Sequence, residues 1–254
     1  MKIANEVLGI DIGGSGVKGA VVNVKTGKMI SERLRIPTPK PYSMEGLLYA
    51  IEEIVKAHSW KGKIGCGFPG VVRSQVIESA LNLGEPFIGV NLAEEIGKRC
   101  SCEAWVINDA DAAASGEVHF GAGKNKKGVI LTLTVGTGIG SGLFKDGVII
   151  PNFELGSLRI RDKKTGKMVI AESLCSDAAR KKYDLKWNVW AERFNKYLQY
   201  VHSIIWPDLI IIGGGISSKP EKFFSKLDVN CDLTLAKLEN QAGIIGAAYE
   251  AKEA

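Results

Sequence analysis

A pattern carried twice constrains this chain most. "LGIDIGGSGVKGAVV" (8–22) and "LTLTVGTGIGSGLFKDGVII" (131–150) each run from an apolar, strand-like stretch into a cluster of glycines and on into β-branched or apolar residues. In the first copy Gly14, Gly16 and Gly19 have the GxGxxG spacing of a dinucleotide loop, with Glu32 further on. Such a loop has to open a helix, whose first amides hold the pyrophosphate. Here Val17, Val21, Val22 and Val24 follow instead, then the turn signal Lys25-Thr26-Gly27, then Leu34 and Ile36 alternating with Arg33 and Arg35. β-Branched residues and alternation are strand signals. The reading is strand, glycine turn, strand, tight turn, strand, which excludes the dinucleotide fingerprint. The second copy places Gly136, Gly138, Gly140 and Gly142 after its strand, turns at Lys145-Asp146-Gly147 and resumes at Val148-Ile149-Ile150. Two copies of one meander predict an internally duplicated, two-domain chain.

Helical patterns fill the rest. Ser43 is placed to cap a helix through about His58, with Leu47, Leu48, Ile51, Ile54 and Val55 on one face. "KIGCGFPGVV" (63–72) reads as a strand entering a Gly-Pro loop, and Asn91 caps a short helix. "AWVIND" (104–109) reads as a strand whose end delivers Asn108 and Asp109 into a loop, with Asp111 as N-cap of a helix through Phe120. Trp187, Trp190, Phe194, Leu198, Val201 and Ile205 recur at helical spacing and are expected in a core. "DLIIIGGGIS" (208–217) is a buried strand feeding a third glycine turn, and a helix closes the chain from Glu239. Alternating strands and helices make the fold α/β.

Composition narrows the function classes. With 254 residues, 45% of them hydrophobic, the chain can bury a substantial core. A net charge of +5 suits an anionic ligand, but no arginine-rich arm or zinc-finger spacing points to nucleic acid. Five scattered cysteines, an odd number, read as reduced thiols of a cytoplasmic protein, and "CSC" (100–102) has no second pair at zinc-site spacing. Nowhere do eighteen apolar residues follow one another, so neither a membrane span nor secretion is expected.

The glycine turns Gly13–Gly16, Gly136–Gly142 and Gly213–Gly215 all end strands. Missing side chains let backbone amides approach an anion, though a hairpin also asks for glycine. Asp11 interrupts an apolar strand between Ile10 and Ile12, so its carboxylate needs a partner. That partner is either Mg²⁺, held largely through water, or the amides of the turn. Lys18 suits a phosphate and solvent equally. With Asp111 taken as the cap, Asp109 is left for a polar role, and a carboxylate near a phosphoryl acceptor can take the proton of an attacking hydroxyl. Glu154, in "PNFELGS" (151–157), can accept hydrogen bonds from paired sugar hydroxyls or simply face solvent. His58, His119 and His202 share no ligand spacing.

Taken together, "GIDIGGSGVKG", "INDADAAASGE", "LTVGTGIGSGLF", "PNFELG" and "WPDLIIIGGGIS" resemble the motifs of the ROK sugar kinases, along almost the whole chain. "RIPTP", "FPGVV", "FGAGKN" and "IIPNFELG" are most similar to the polyphosphate glucokinases of that family. The resemblance implies an actin-like (sugar kinase/Hsp70/actin) fold of duplicated ribonuclease H-like domains, 1–107 and 108–254, closing over a cleft, with the last helix packing back on the first domain. It implies phosphoryl transfer from polyphosphate or ATP to the 6-hydroxyl of glucose. Asp109 matches the base, and Asn82, Asn108, Glu154 and Glu172 match hexose-binding positions. Gly13, Gly14, Ser15, Gly16 and Lys18 match one phosphate turn and Gly136, Thr137 and Gly138 the other, with Gly214 and Gly215 on the nucleotide side. Mg²⁺ is implied near Asp11, and a homodimer is the family's habit. The zinc-binding cysteine cluster of larger members is missing, so no zinc is expected. Ser157 stands where the family usually has a sugar-contacting histidine. It leaves open an ATP-dependent kinase for another hexose or amino sugar, or a catalytically weak sugar sensor. The basic run Arg159, Arg161, Lys163, Lys164 and Lys167 reads as a solvated hairpin rather than a polyanion track.

Overall fold

The structure, a computed structural model, describes residues 5–80, 83–162 and 165–254. The chain divides into two compact units, Met1–Phe120 with Asn240–Ala254, and Gly121–Glu239.

In the first unit, β1 (Glu6–Gly13), β2 (Gly16–Asn23), β3 (Lys28–Met29) and β4 (Leu34–Ile36) form the antiparallel part of a sheet. Helix α1 (Met44–Ala57) follows, then β5 (Ile64–Phe68), a small hairpin of β6 (Val72–Arg73) and β7 (Val76–Ile77), α2 (Leu92–Cys100), β8 (Ala104–Asn108) and α3 (Asp109–Phe120). Among the described residues the sheet order is β3-β2-β1-β5-β8, with β4 also on β2, and β1, β5 and β8 run parallel. Alternation along β1 sends Leu8, Ile10 and Ile12 into the core that contains Leu47, Ile51 and Ile54 of α1. Gly9 and Asp11 therefore face the other way. Ser43 caps α1 by accepting the Gly46 N–H at 3.1 Å, and Asn91 caps α2 by accepting the Glu94 N–H at 3.1 Å, both as expected.

The C-terminal helix, Ala242–Glu253, lies on the Gly9 face of this sheet. It approaches backbone to backbone. A Cβ on Gly65 would stand 1.9 Å from the Ala247 carbonyl oxygen, and one on Gly246 would stand 1.7 Å from that of Ala112 in α3. Because α3 and this helix pack on each other, the unit boundary falls after Phe120, one helix later than the expected division at 107/108.

The second unit contains β9 (Val129–Val135), β10 (Ile139–Lys145), β11 (Val148–Ile150), β12 (Arg159–Arg161), β13 (Met168–Ile170), α4 (Glu172–Cys175), α5 (Asp177–Lys182), α6 (Trp187–Ile205), β14 (Leu209–Gly213) and β15 (Asp232–Leu235). The helix Ala242–Glu253 is then α7. Its sheet, among the described residues, has the order β11-β10-β9-β14-β15. An antiparallel meander followed by two parallel strands repeats the first sheet, as the paired glycine motifs predict. The KTG and KDG stretches are the turns of the two meanders, with Gly27 and Gly147 at left-handed φ of 70° and 85°. Trp190, Phe194, Leu198 and Val201 of α6 are fully buried, so the aromatic stripe is core. Arg159 and Arg161 are exposed on the hairpin of β12 and β13, while Lys163 and Lys164 lie outside the described residues.

Candidate active site

In the first unit, three parallel strands end side by side. Asp11 of β1 is in register with Gly67 of β5, and Gly67 with Ile107 of β8. Two strand spacings, roughly 10 Å, separate the outer two. Asp109 follows directly, because β8 passes into α3 with no loop. Here one expectation is corrected: Asp111 is not the cap. The Asn108 Oδ1 accepts the N–H groups of Ala110 at 2.8 Å and Asp111 at 3.0 Å, so the cap lies three residues earlier and Asp111 is buried in the helix's first turn. Asn108 also donates from Nδ2 to the Gly70 carbonyl at 3.0 Å, tying the start of α3 to the loop after β5. Asp109 is half-buried at this helix end. Asn82 lies outside the described residues.

The partner of Asp11 is Lys18, its neighbour across the β1–β2 register, with Nζ 2.8 Å from Oδ2. Lys18 thus points neither to open solvent nor alone at a ligand. The Asp11 Oδ1 is 3.6 Å from where a Cβ on Gly243 would be, beside the first turn of α7, whose dipole favours a carboxylate. Among the described residues no group of three or more His, Cys, Asp or Glu could hold a metal ion. A single, partly exposed carboxylate suits magnesium held through its own waters, and does not suit a protein cage.

The first glycine turn is tied down on its carbonyl side. Thr38 Oγ1 donates to the Gly13 carbonyl at 2.6 Å, Tyr42 Oη to Gly14 at 2.8 Å and Arg35 Nη2 to Ser15 at 2.6 Å. Gly13 and Gly16 have no left-handed φ, so turn geometry is not what calls for glycine there. A Cβ on Gly16 would instead meet Arg35 Nε at 2.8 Å.

In the second unit, Gly136 and the turn at Gly214–Gly215 are neighbours, with the Gly215 N 4.0 Å from a Cβ built on Gly136. The Gly136 carbonyl accepts the Ala178 N–H of α5 at 3.1 Å, and Thr137 is exposed at the turn's tip. Glu172, at the start of α4, lies over Gly138: its Oε2 accepts the Ile139 N–H at 3.3 Å and would stand 2.5 Å from a Cβ at 138. Glu154 is exposed, yet its carboxyl is pushed above the usual range, first by partial desolvation and then by the negative charge of Glu172. The two carboxylates thus feel each other's charge. Ser157 is exposed and its N–H donates to the Glu154 carbonyl at 3.0 Å.

Ser141 escaped the sequence reading. Buried in β10, it donates to the Phe153 carbonyl and accepts the Leu155 N–H at 3.0 Å, clamping the backbone on both sides of Glu154. Its signal was a serine between two glycines in a strand, "GSG" (140–142). Thr38 and Tyr42 were marked only by prolines at 37, 39 and 41.

A sequence profile described as "ROK family" matches residues 7–151, more than half of the chain. The chain belongs to the ROK family. Along 94% of its length it is 39% identical to the polyphosphate glucokinase of Mycobacterium tuberculosis, covering 89% of that protein. The crystal structure of an inorganic polyphosphate/ATP-glucomannokinase from Arthrobacter sp. strain KM superposes with a TM-score of 0.88 at 37% identity, covering 97% of this chain and 98% of that one. A ROK family glucokinase from Streptomyces griseus, crystallised with glucose and AMPPNP, matches 98% of this chain and all of its own at a TM-score of 0.80; at 22% identity it speaks to the fold alone. The fold of this ROK protein is the two-domain, actin-like α/β fold of the ROK sugar kinases. Among its described residues no helix is long and apolar enough to cross a membrane.

Proposed function

We propose that this ROK protein is a cytoplasmic sugar kinase that transfers a phosphoryl group from inorganic polyphosphate, and also from ATP, to the 6-hydroxyl of glucose. The likeness to polyphosphate glucokinases over 94% of the chain carries the reading. Asp109, fixed at the start of α3 by the Asn108 cap, accepts the proton as the sugar hydroxyl attacks. Glu154 accepts hydrogen bonds from other sugar hydroxyls, held by the Ser141 clamp, and Glu172 at the start of α4 is a second hexose-binding carboxylate. Backbone amides of the turns at 13–16 and 136–138 take the donor's phosphate oxygens. Magnesium, held through water by Asp11, would offset the negative charge of the donor.

The test is a matrix of glucose, mannose and N-acetylmannosamine against polyphosphate and ATP, scored for sugar phosphate. Glucose 6-phosphate formed from polyphosphate is the expected product. Turnover with ATP alone refutes polyphosphate as donor. No product from any pair refutes the kinase reading and leaves a sugar sensor.

A further inference from the structure

Two ends anchor the segment that holds the first glycine turn. On one side β4 pairs with β2, placing Arg35 opposite Lys18 and Ile36 opposite Val17. On the other, Ser43 caps α1. Between them Pro37, Pro39 and Pro41 alternate with Thr38, Lys40 and Tyr42. Each proline fixes its own φ, so the segment has few conformations to lose when it settles. Tyr42 is half-buried against the core of the first unit, which fixes its ring. The segment is therefore rigid before any ligand arrives.

Three successive carbonyls of the turn meet this segment. Across a trans-planar peptide a carbonyl and the N–H that follows it point in opposite directions. Thr38, holding the Gly13 carbonyl, thereby turns the Gly14 N–H to the far side. Tyr42, holding the Gly14 carbonyl, does the same for the Ser15 N–H. Arg35 takes the third carbonyl, and the space left by the missing side chain of Gly16 admits its guanidinium. A carbonyl oxygen facing a phosphate would repel it, and an amide facing it attracts it, so the orientation of two peptides decides whether the turn binds an anion.

We propose that residues 35–42 form a positioning strap for the phosphoryl donor: Thr38 and Tyr42 lock the carbonyls of Gly13 and Gly14 backwards, so that the amides of Gly14 and Ser15 face the donor, while Arg35 holds the Ser15 carbonyl. Thr38 and Tyr42 act through the backbone and need not touch the donor. This rests on the reading of the 13–16 turn as a phosphate site, and it adds the residues that set that site's affinity.

Inorganic tripolyphosphate is the probe. Its binding to the full-length protein is measured by calorimetry for wild type, T38V, T38S and Y42F, beside the KM for polyphosphate, the KM for glucose and the thermal midpoint. One lost neutral hydrogen bond corresponds to roughly 3- to 10-fold. T38V and Y42F are each expected to weaken tripolyphosphate binding and raise the polyphosphate KM by about that factor, with the glucose KM unchanged and T38S close to wild type. Three results overturn the strap: unchanged tripolyphosphate binding in T38V and Y42F, an equal rise in both KM values, or a T38S as impaired as T38V. Wild-type turnover alongside such a result refutes the strap alone. A wild type that neither binds tripolyphosphate nor turns over refutes the functional reading and the strap with it.

Discussion

Asn108 caps the helix that begins at Asp109, with Oδ1 accepting the Ala110 N–H at 2.8 Å and the Asp111 N–H at 3.0 Å. The same side chain donates from Nδ2 to the Gly70 carbonyl at 3.0 Å. Its two ends have separable effects. Asn108→Ala removes the cap and is expected to destabilise the protein by about 1 kcal/mol, read by urea denaturation. Asn108→Asp keeps an oxygen cap of equal quality, so stability should stay near wild type. It loses the donor to Gly70 and sets a second carboxylate beside Asp109. A fall in kcat/KM for glucose without loss of stability is the expected outcome, and full activity in Asn108→Asp would remove the Gly70 tie from the site.

Asp109→Asn keeps the shape of the side chain and removes its ability to accept a proton. Loss of a general base lowers turnover by about 10²- to 10⁴-fold. Glucose affinity, measured by calorimetry without donor, should change little. Near-native turnover would exclude Asp109 as the base.

In the proposed function Glu154 links sugar binding to pH. Its carboxyl titrates above the ordinary value of 4.5, because it is partly desolvated and because Glu172 is negative. Sugar hydroxyls donate to the ionised form, so glucose affinity should fall with acid, and at a higher pH than an ordinary glutamate would set. Glu172→Gln removes one of the two causes and should move that limb toward lower pH, whereas Glu154→Gln should abolish it. The effect on stability follows from the raised pKa. The folded state holds this proton at pH values where the unfolded chain has released it, so the contribution to stability is greatest at low pH and declines as pH rises through the folded-state pKa. At neutral pH Glu154→Gln should therefore raise the thermal midpoint. A lowered midpoint, or an acid limb that persists in Glu154→Gln, contradicts this.

What the sequence made legible was local. Glycine turns, β-branched runs and the caps Ser43 and Asn91 each express themselves within a few residues, and the aromatic stripe of α6 declared a core through its period. The start of α3 was misplaced because Asp111 is as good a cap by type as Asn108, and only the unbroken passage from β8 decides for Asn108. The Lys18–Asp11 pair follows from hairpin register, which places residues 11 and 18 opposite each other. More distant relations were fainter: the Ser141 clamp showed only as a serine between two glycines, and the return of the last helix to the first domain, which the structure shows, was implied by the family resemblance and not by any local pattern. The clamp of Ser141 on residues 153 and 155 spans a dozen residues, and the return of α7 to the first sheet spans most of the chain.

That return depends on glycines at the contact, with Gly246 and Gly65 making the tightest approaches. At position 246 a methyl group would lie 1.7 Å from the Ala112 carbonyl oxygen and 2.6 Å from the Gly116 nitrogen, and at position 65 one would lie 1.9 Å from the Ala247 carbonyl oxygen. Each obstacle is backbone in a packed helix, so it cannot swing aside as a side chain would. Relief requires α7 to move off α3 or off the sheet, exposing Ile244 and Ile245, which are buried. Overpacking of this kind costs typically 1 to 3 kcal/mol and occasionally more, and with a rigid neighbour the upper end applies. Gly246→Ala and Gly65→Ala should each destabilise the protein by about 3 kcal/mol or more in urea denaturation. Gly89→Ala is the comparison: nothing lies within 4 Å of its added methyl, but its φ of 80° strains an L side chain. Its expected loss is the backbone term alone, about 1 to 2 kcal/mol. If Gly65→Ala costs no more than Gly89→Ala, the close approach of α7 to the sheet is not what requires glycine there.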